Sequence, residues 1–383
     1  MRVIIYEENQ EEFYPLSNLV PQFNLRVGAR TIAEHNAFFF RRHKLSFACR
    51  ERFGVEPVRS TEPTLYLSGR LLLNAGVGLP RTDTKLKVDS ATVGFFKKTP
   101  PLPCTLDEIR DALATIKDSK NINGMVVKKV WDLIGLNHTM LVKHYTAARR
   151  KGSMIRNAYV RGKNIHVARG ARIHKLVFLD ATDGPIYIDD DAELRPFSSI
   201  VGPSYIGAGS IIDRAKVVGS SIGPHCRIGG EVENCIFQGY SNKHHDGFIG
   251  HSFIGEWVNL GALTTNSDLK NNYGPVRVQI GSEDHETGMI KLGCFIGDHS
   301  KLGIGTLIPT GAVIGSFVNF AGGGMMDRYV RDFQWIVGSE KEDYDLEKAL
   351  RTAQIVMKRR KVNLSRQYGE MIRILHGEIC RSN

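Results

Sequence analysis

Along the middle of the chain aliphatic residues return at every sixth position, at Ile188, Leu194, Ile200, Ile206, Ile212 and Val218, with small, glycine or turn-forming residues between them. After a change of phase the same spacing resumes at Ile222 and Ile228, at Ile254 and Leu260, and at Ile296, Leu302, Ile308 and Ile314. A half-buried strand alternates with a period of two and an amphipathic helix repeats near 3.6, so neither accounts for six. A hexapeptide period predicts a left-handed parallel β-helix, in which three six-residue faces close one triangular coil and each repeated aliphatic points into the shared core. Two stretches, 230–248 and 264–291, break the spacing. A solenoid expels insertions as loops, and such loops often carry function. The glycine-rich FAGGGMMD, 320–327, reads as the end of the repeat.

The flanks follow other patterns. Residues 1–105 mix β-branched runs (RVIIY, TLYLSGRLLL) with helical stretches and read as an α/β domain, closed by the proline cluster KKTPPLPCT. Residues 106–155 read as a helical connector, 156–338 as the β-helix and 339–383 as a C-terminal helical segment. In that last segment DYDLEKALRTAQIVMKRRKV starts acidic and ends basic, as a helix dipole favours. Trp257 and Trp335 are expected as core or interface aromatics.

Composition narrows the class. The chain has 383 residues, of which 42% are apolar and 24% charged, which suits a soluble multi-domain protein. No apolar run is long enough to span a bilayer and the start lacks a signal-peptide core, so a cytoplasmic location without membrane insertion is expected. Six scattered cysteines without a CxxC pair suggest neither a disulfide framework nor a thiolate zinc site. A net charge of +11 favours anionic partners. The basic runs RRK (149–151) and KRRK (358–361) come with no nucleic-acid-binding motif, so phosphates, nucleotides or coenzyme A are expected rather than nucleic acid.

The densest chemistry lies in SNKHHDGFIGHSFIGEWVNLG, 241–261. Its adjacent His244 and His245 admit three readings. One is general-base catalysis, one a metal site drawing on His225, His245 and His251, and one a polar edge on a repetitive scaffold.

The segments HHDGFIGHSFIGEWVNLGALTTN and FIGDHSKLGIGTLIPTGAVIG resemble the acetyltransferase domain of the bifunctional N-acetylglucosamine-1-phosphate uridyltransferase/glucosamine-1-phosphate acetyltransferase family. Together with YPLSNLVPQFNLRVGARTIAEH, VWDLIGLNHTMLVKHY and DATDGPIYI, the whole chain resembles a smaller bacterial family of sugar nucleotidyltransferases related to that enzyme. The resemblance implies a degenerate nucleotidyltransferase-type α/β domain followed by the β-helix, assembled as a homotrimer. It also implies transfer of an acyl group, most simply acetyl, from acyl-CoA to an amino group of a phosphorylated or nucleotide-linked sugar. His245, five residues before Gly250, matches the family's base. Its neighbour His244 joins the substrate site, turns around Asn259 and Asn266 supply oxyanion donors, and Lys270, Asn272 and Tyr273 of KNNYG replace a missing Asn-Tyr pair. Lys243 and Lys291 are expected to hold sugar or coenzyme A phosphates. The chain departs from the family at Phe248 and Ile304, where a tyrosine and a serine are expected.

The nucleotidyltransferase half departs further. YEENQEEFYPLS replaces the phosphate-cradling loop, and Arg70 stands where a magnesium-binding aspartate is expected. An arginine cannot ligate Mg2+, so the metal belongs here only if Glu7 or Glu8 substitutes, with Arg26 and Arg30 as phosphate contacts. Nucleotidyl transfer is therefore the rival reading, and a non-catalytic trimer that binds sugar nucleotides is another.

Overall fold

The computed structural model describes residues 1–148, 155 and 158–382. The basic triplet at 149–151 and the end of the connector lie outside the described residues.

The repeat folds as a left-handed parallel β-helix. Its clearest face is a nine-stranded parallel sheet running from Ile165–Val167 to Tyr329–Val330, with one strand per coil. Ile188, Ile206, Ile222, Phe237, Ile254, Ile296, Ile314 and Val330 lie in register along it and point inward. All are at most 2% exposed, which confirms the interior row. Full burial of one such side chain contributes roughly 1.5–3 kcal/mol, so the stacked rungs supply the main driving force.

Three details of the expected repeat are corrected. Val218 is half-buried, and the interior position is Val217, in register with Ile200 and Val232, because the turn at Asp213 and Arg214 is one residue short. The stretch 230–248 is not a loop. It stays in the coil with Val232, Phe237 and Ile249 in the core, and Lys243 takes an inward place opposite Ile228. FAGGGMMD does not end the solenoid either, since the rungs Tyr329–Val330 and Gln334–Val337 follow it.

The second interruption does leave the coil. It carries the antiparallel hairpin Arg277–Ile280 and Glu283–Glu286, whose Val276 and Val278 bury against the N-terminal domain while His285 packs on Trp131.

The N-terminal domain is a six-stranded mixed sheet ordered Lys44–Ala48, Arg2–Tyr6, Thr64–Ser68, Ala91–Lys97, Thr84–Val88, Ser119–Asn121. Its edge strand lies beyond residue 105, so the expected connector contributes to this sheet as well as supplying the helices Leu106–Thr115 and Asp132–Ala148. The domain covers the nine-stranded face. Outward-facing Ile236, Phe253, Phe295 and Val313 share one apolar cluster with Phe13, Leu16, Val27 and Met140.

Two helices, Leu346–Arg359 and Arg366–Ser382, make up the expected C-terminal helical segment. They close over a corner where His225, Tyr240, Trp257, His299, Phe317 and Phe333 stack ring on ring at 4.3–6.1 Å, each at positive φ. Trp257 belongs to this column, and Trp335 packs edge-on against Tyr344. Among the described residues no helix is long and apolar enough to cross a membrane.

Candidate functional site

The solenoid presents three corners per coil, and the residues expected to share one site are divided among them. His244, His245 and Asp246 form the turn between Asn242–Lys243 and Phe248–Gly250. The coil above approaches closely there. A Cβ at Gly229 would lie 2.0 Å from the His244 carbonyl oxygen, and Gly230 has φ +69°, so only glycines allow this contact.

His245 is exposed, with its ring edge-on to His244 at 5.3 Å. His244 turns back toward Asp213, 3.9 Å from its carboxylate, and its buried Nδ1 has no hydrogen-bond partner among the described residues. Burial lowers its pKa, with Asp213 opposing, so it favours the neutral imidazole. Beside this corner runs an open apolar strip. Leu263, whose N–H donates to the Asp246 carbonyl, is 59% exposed, and Ile304 is 71% exposed. Leu307 and Met325 continue it.

Lys243 does not face this site. Its side chain lies in the interior, where the ammonium donates to the carbonyls of Gly229 (3.1 Å) and His245 (2.8 Å). Burial brings its pKa down to about 8. It fastens the turn that carries His245, and the expected phosphate contact is not what this geometry provides.

At the other end of Phe248–Gly250 the next corner carries His251. Its Nδ1 lies 2.7 Å from Asp268 and its Nε2 3.3 Å from the Asn234 amide. The bond to His251, aided by Lys291, holds the Asp268 carboxyl below the usual range against the opposing effect of burial. Asn234, His251 and Asp268 are seventeen residues apart in turn, one coil each. That interval was the available signal, and reading hexads in isolation passed over it.

The remaining candidates gather on this second corner or elsewhere. Lys291 closes the excursion through a bridge to Leu269. Lys270 donates to the Pro275 carbonyl, Asn272 caps the Gly274 N–H, and Tyr273 is 69% exposed. Asn266 is interior, accepting from the Gly250 N–H at 2.7 Å and donating to the Gly250 carbonyl at 3.0 Å. Asn259 pairs with Asn242 on a different face, in a cleft of about 280 Å3 with Lys301, Arg359 and Arg360. Neither asparagine reaches the His245 corner within one chain.

The three histidines of the metal reading sit on three different corners, His225 against Tyr240, His251 against Asp268 and His245 in solvent. Among the described residues no group of three His, Cys, Asp or Glu is placed to hold a metal ion.

In the N-terminal domain Arg70 pairs with Glu8 at 2.8 Å, and Ser68 donates to the same carboxylate. Arg50 holds buried Glu7 bidentately through Nε at 3.1 Å and one Nη at 3.0 Å, and the Gln22 N–H also donates to it. Both oxygens of Glu7 and Oε1 of Glu8 are therefore engaged by internal donors, and two carboxylates each paired with an arginine are a poor donor set for Mg2+. Arg26 and Arg30 lie away from these acids, at the junction with the solenoid.

No family model matches the chain. It is similar to a bifunctional sugar-1-phosphate nucleotidylyltransferase/acetyltransferase of Sulfurisphaera tokodaii, with 29% identity over 159 residues, covering 38% of each chain. It is also similar to the bifunctional protein GlmU of Methanocaldococcus jannaschii, with 26% identity over 260 residues, covering 64% of this chain and 55% of that one. A third match is GlmU of Trichodesmium erythraeum, with 25% identity over 182 residues, covering 47% of this chain and 31% of that one. The chain thus spans about half or less of the length of these relatives.

Proposed function

We propose that the protein is a transferase whose chemistry resides on the solenoid, moving an acyl group, most simply acetyl, from coenzyme A to the amine of a phosphorylated or nucleotide-linked sugar. The observation that carries this choice is the pairing of Glu8 with Arg70 and of Glu7 with Arg50, which ties up the two acids that could stand in for the missing magnesium-binding aspartate. The names of the similar proteins, which combine nucleotidyl and acetyl transfer, support the class.

In this reading His245 takes the proton that the sugar amine loses as it attacks the thioester carbonyl, and returns a proton to the departing thiolate. A solvent-open imidazole can take the proton and, as the imidazolium so formed, give it back. Lys291 bridges to Leu269 beside the next corner of the coil, across a strand of three residues, and exposed Tyr273 belongs to the excursion that leaves there. A three-fold assembly joins two different patches of one chain, so it can bring that corner of one copy to the His245 corner of the next. The exposed Leu263, Ile304, Leu307 and Met325 beside His245 supply the apolar contact such an assembly buries.

A second reading of the base is favoured by one observation. His251 is oriented by Asp268 at 2.7 Å, the arrangement that fixes a tautomer for proton transfer. In it the same reaction runs from the neighbouring corner.

The test is a stability screen combined with light scattering. A ligand that binds only the native state at a hundred times its Kd stabilises by about 2.7 kcal/mol. Acetyl-CoA is expected to raise Tm in a particle of three chains, while nucleoside triphosphates with Mg2+ are not. Stabilisation by the triphosphates alone, or a monomer mass at micromolar concentration, contradicts the reading.

A further inference from the structure

Between the N-terminal domain and the nine-stranded face lies a cavity of about 680 Å3 that neither reading above uses. That volume falls in the range of small-molecule sites, and a junction between domains is where such sites form. Its cations come from separate elements: Arg26 and Arg30 from the two strands of the hairpin Arg26–Val27 and Arg30–Thr31, and Arg41 from beyond the turn Phe38–Phe40.

Its two carboxylates already hold donors. Glu34 accepts the Thr31 N–H at 2.8 Å in a capping box, and Asp189 accepts the Tyr205 hydroxyl at 2.8 Å. Among the described residues neither Arg26 nor Arg41 forms a carboxylate ion pair. Arg26 donates to the carbonyls of Ala29 and Gln238, and Arg41 lies over the Phe38 ring at 4.2 Å. The guanidinium of Arg30 approaches the same ring at 5.6 Å, so Phe38 packs against two of the cations.

His144 adds no charge. Its Nδ1 accepts the Ala29 N–H and its Nε2 faces His35 at 3.0 Å. Burial first, then His35 and the nearby arginines, lowers its pKa to about 2. The solenoid wall is the stacked pair Tyr187 and Tyr205, whose rings lie 5.5 Å apart and cover each other's faces. The Arg26 guanidinium lies over the Tyr205 ring at 5.6 Å, and Tyr187 also stacks on His166, so the wall offers the cavity mainly ring edges.

We propose that this junction cavity binds a phosphate ester, with Arg26, Arg30 and Arg41 engaging the phosphate and the tyrosine wall engaging the organic part. Each of the three guanidiniums is a planar fork whose N–H groups phosphate oxygens accept bidentately, and lysines would not reproduce that geometry. The site lies on the covered nine-stranded face, away from the His245 corner, and does not depend on the assignment of a base.

The test is calorimetry on the full-length protein with inorganic phosphate, glucose 1-phosphate and UDP. The last two carry the same phosphate chemistry on different bodies, and neither has an amine to be acylated. Saturable binding of one of them, tighter than that of inorganic phosphate, is expected. Replacing both Arg30→Ala and Arg41→Ala, at side chains that are half-buried and exposed, should weaken it roughly a hundredfold with unchanged circular dichroism. Arg41→Lys should recover only part of the loss, and His245→Ala should bind as wild type does. The proposal fails if neither ester binds at millimolar concentration. It also fails if the double arginine variant binds like wild type, or if His245→Ala removes the signal that the arginine variant keeps.

Discussion

Just past the end of the inner strand Arg2–Tyr6 of the N-terminal sheet, Glu7 and Glu8 each meet an arginine at about 3 Å, with further donors from Gln22 and Ser68. On the solenoid corner His245 stands in solvent beside an uncovered apolar strip, and His251 keeps only an orienting carboxylate and an amide. Both regions are rich in ionisable groups, and what separates them is how far those groups are already satisfied. A carboxylate saturated by guanidiniums is a structural group, since a cation must displace those donors before it binds. An imidazole left open, as at His245, keeps the capacity to move a proton, whereas His251 is held at Nδ1 by Asp268 and at Nε2 by the Asn234 amide and must release the amide first. Charge content alone would have ranked the two sites equally.

The largest effect that sharpens this contrast is on rate. His245→Ala is expected to remove about 10²–10⁴ of acyl transfer while acyl-CoA binding is retained, the usual contribution of a positioned acid–base group. If His251→Ala takes that loss instead and His245→Ala is mild, the base moves to the neighbouring corner. Next is stability at the paired acids. Arg50→Ala strands the buried Glu7 carboxylate and should cost about 3 kcal/mol, read by denaturant unfolding. A negligible cost would show that Glu7 is as open as His245 and break the comparison.

A third effect sits where the two regions meet. Burial pushes the Asp332 carboxyl up to about 6, although it accepts bonds from Asn18 and the Ser316 N–H. A folded pKa above the unfolded one makes this group destabilising above pH 6, and the penalty fades as the pH falls toward 4. Asp332→Asn should therefore add about 1–3 kcal/mol at pH 7.5 and progressively less below pH 6. A gain that does not change with pH would argue against that origin. The smallest effect belongs to His244→Ala. Because His244 turns toward Asp213 while His245 faces solvent, activity should change by only about threefold, whereas equal losses in both variants would return the pair to a polar edge.

The solenoid was legible because its core positions recur, and a period of six admits few structures. The reading slipped where an interior place is taken by an unexpected residue. Lys243 hides a rung because its stem packs inward while its ammonium bonds two carbonyls, so a continuous coil read as a loop. The N-terminal edge strand Ser119–Asn121 is exposed and polar, with no apolar alternation to announce it. The site was legible in its residue types and not in its placement. His225, His245 and His251 look like one cluster in the sequence, yet each occupies a different corner of the coil, and only the seventeen-residue interval links Asn234, His251 and Asp268. The pairing of Arg70 with Glu8 spans 62 positions and has no local signature.

The most direct measurement assays one preparation for two products. Free thiol is followed with acetyl-CoA and a panel of amino-sugar phosphates, and pyrophosphate with UTP or dTTP, Mg2+ and sugar 1-phosphates. Thiol release that depends on the amino sugar, with pyrophosphate at background, is the result predicted for a solenoid-centred transferase whose N-terminal carboxylates are internally paired. Magnesium-dependent pyrophosphate release without thiol release would contradict it and place the chemistry in the N-terminal domain.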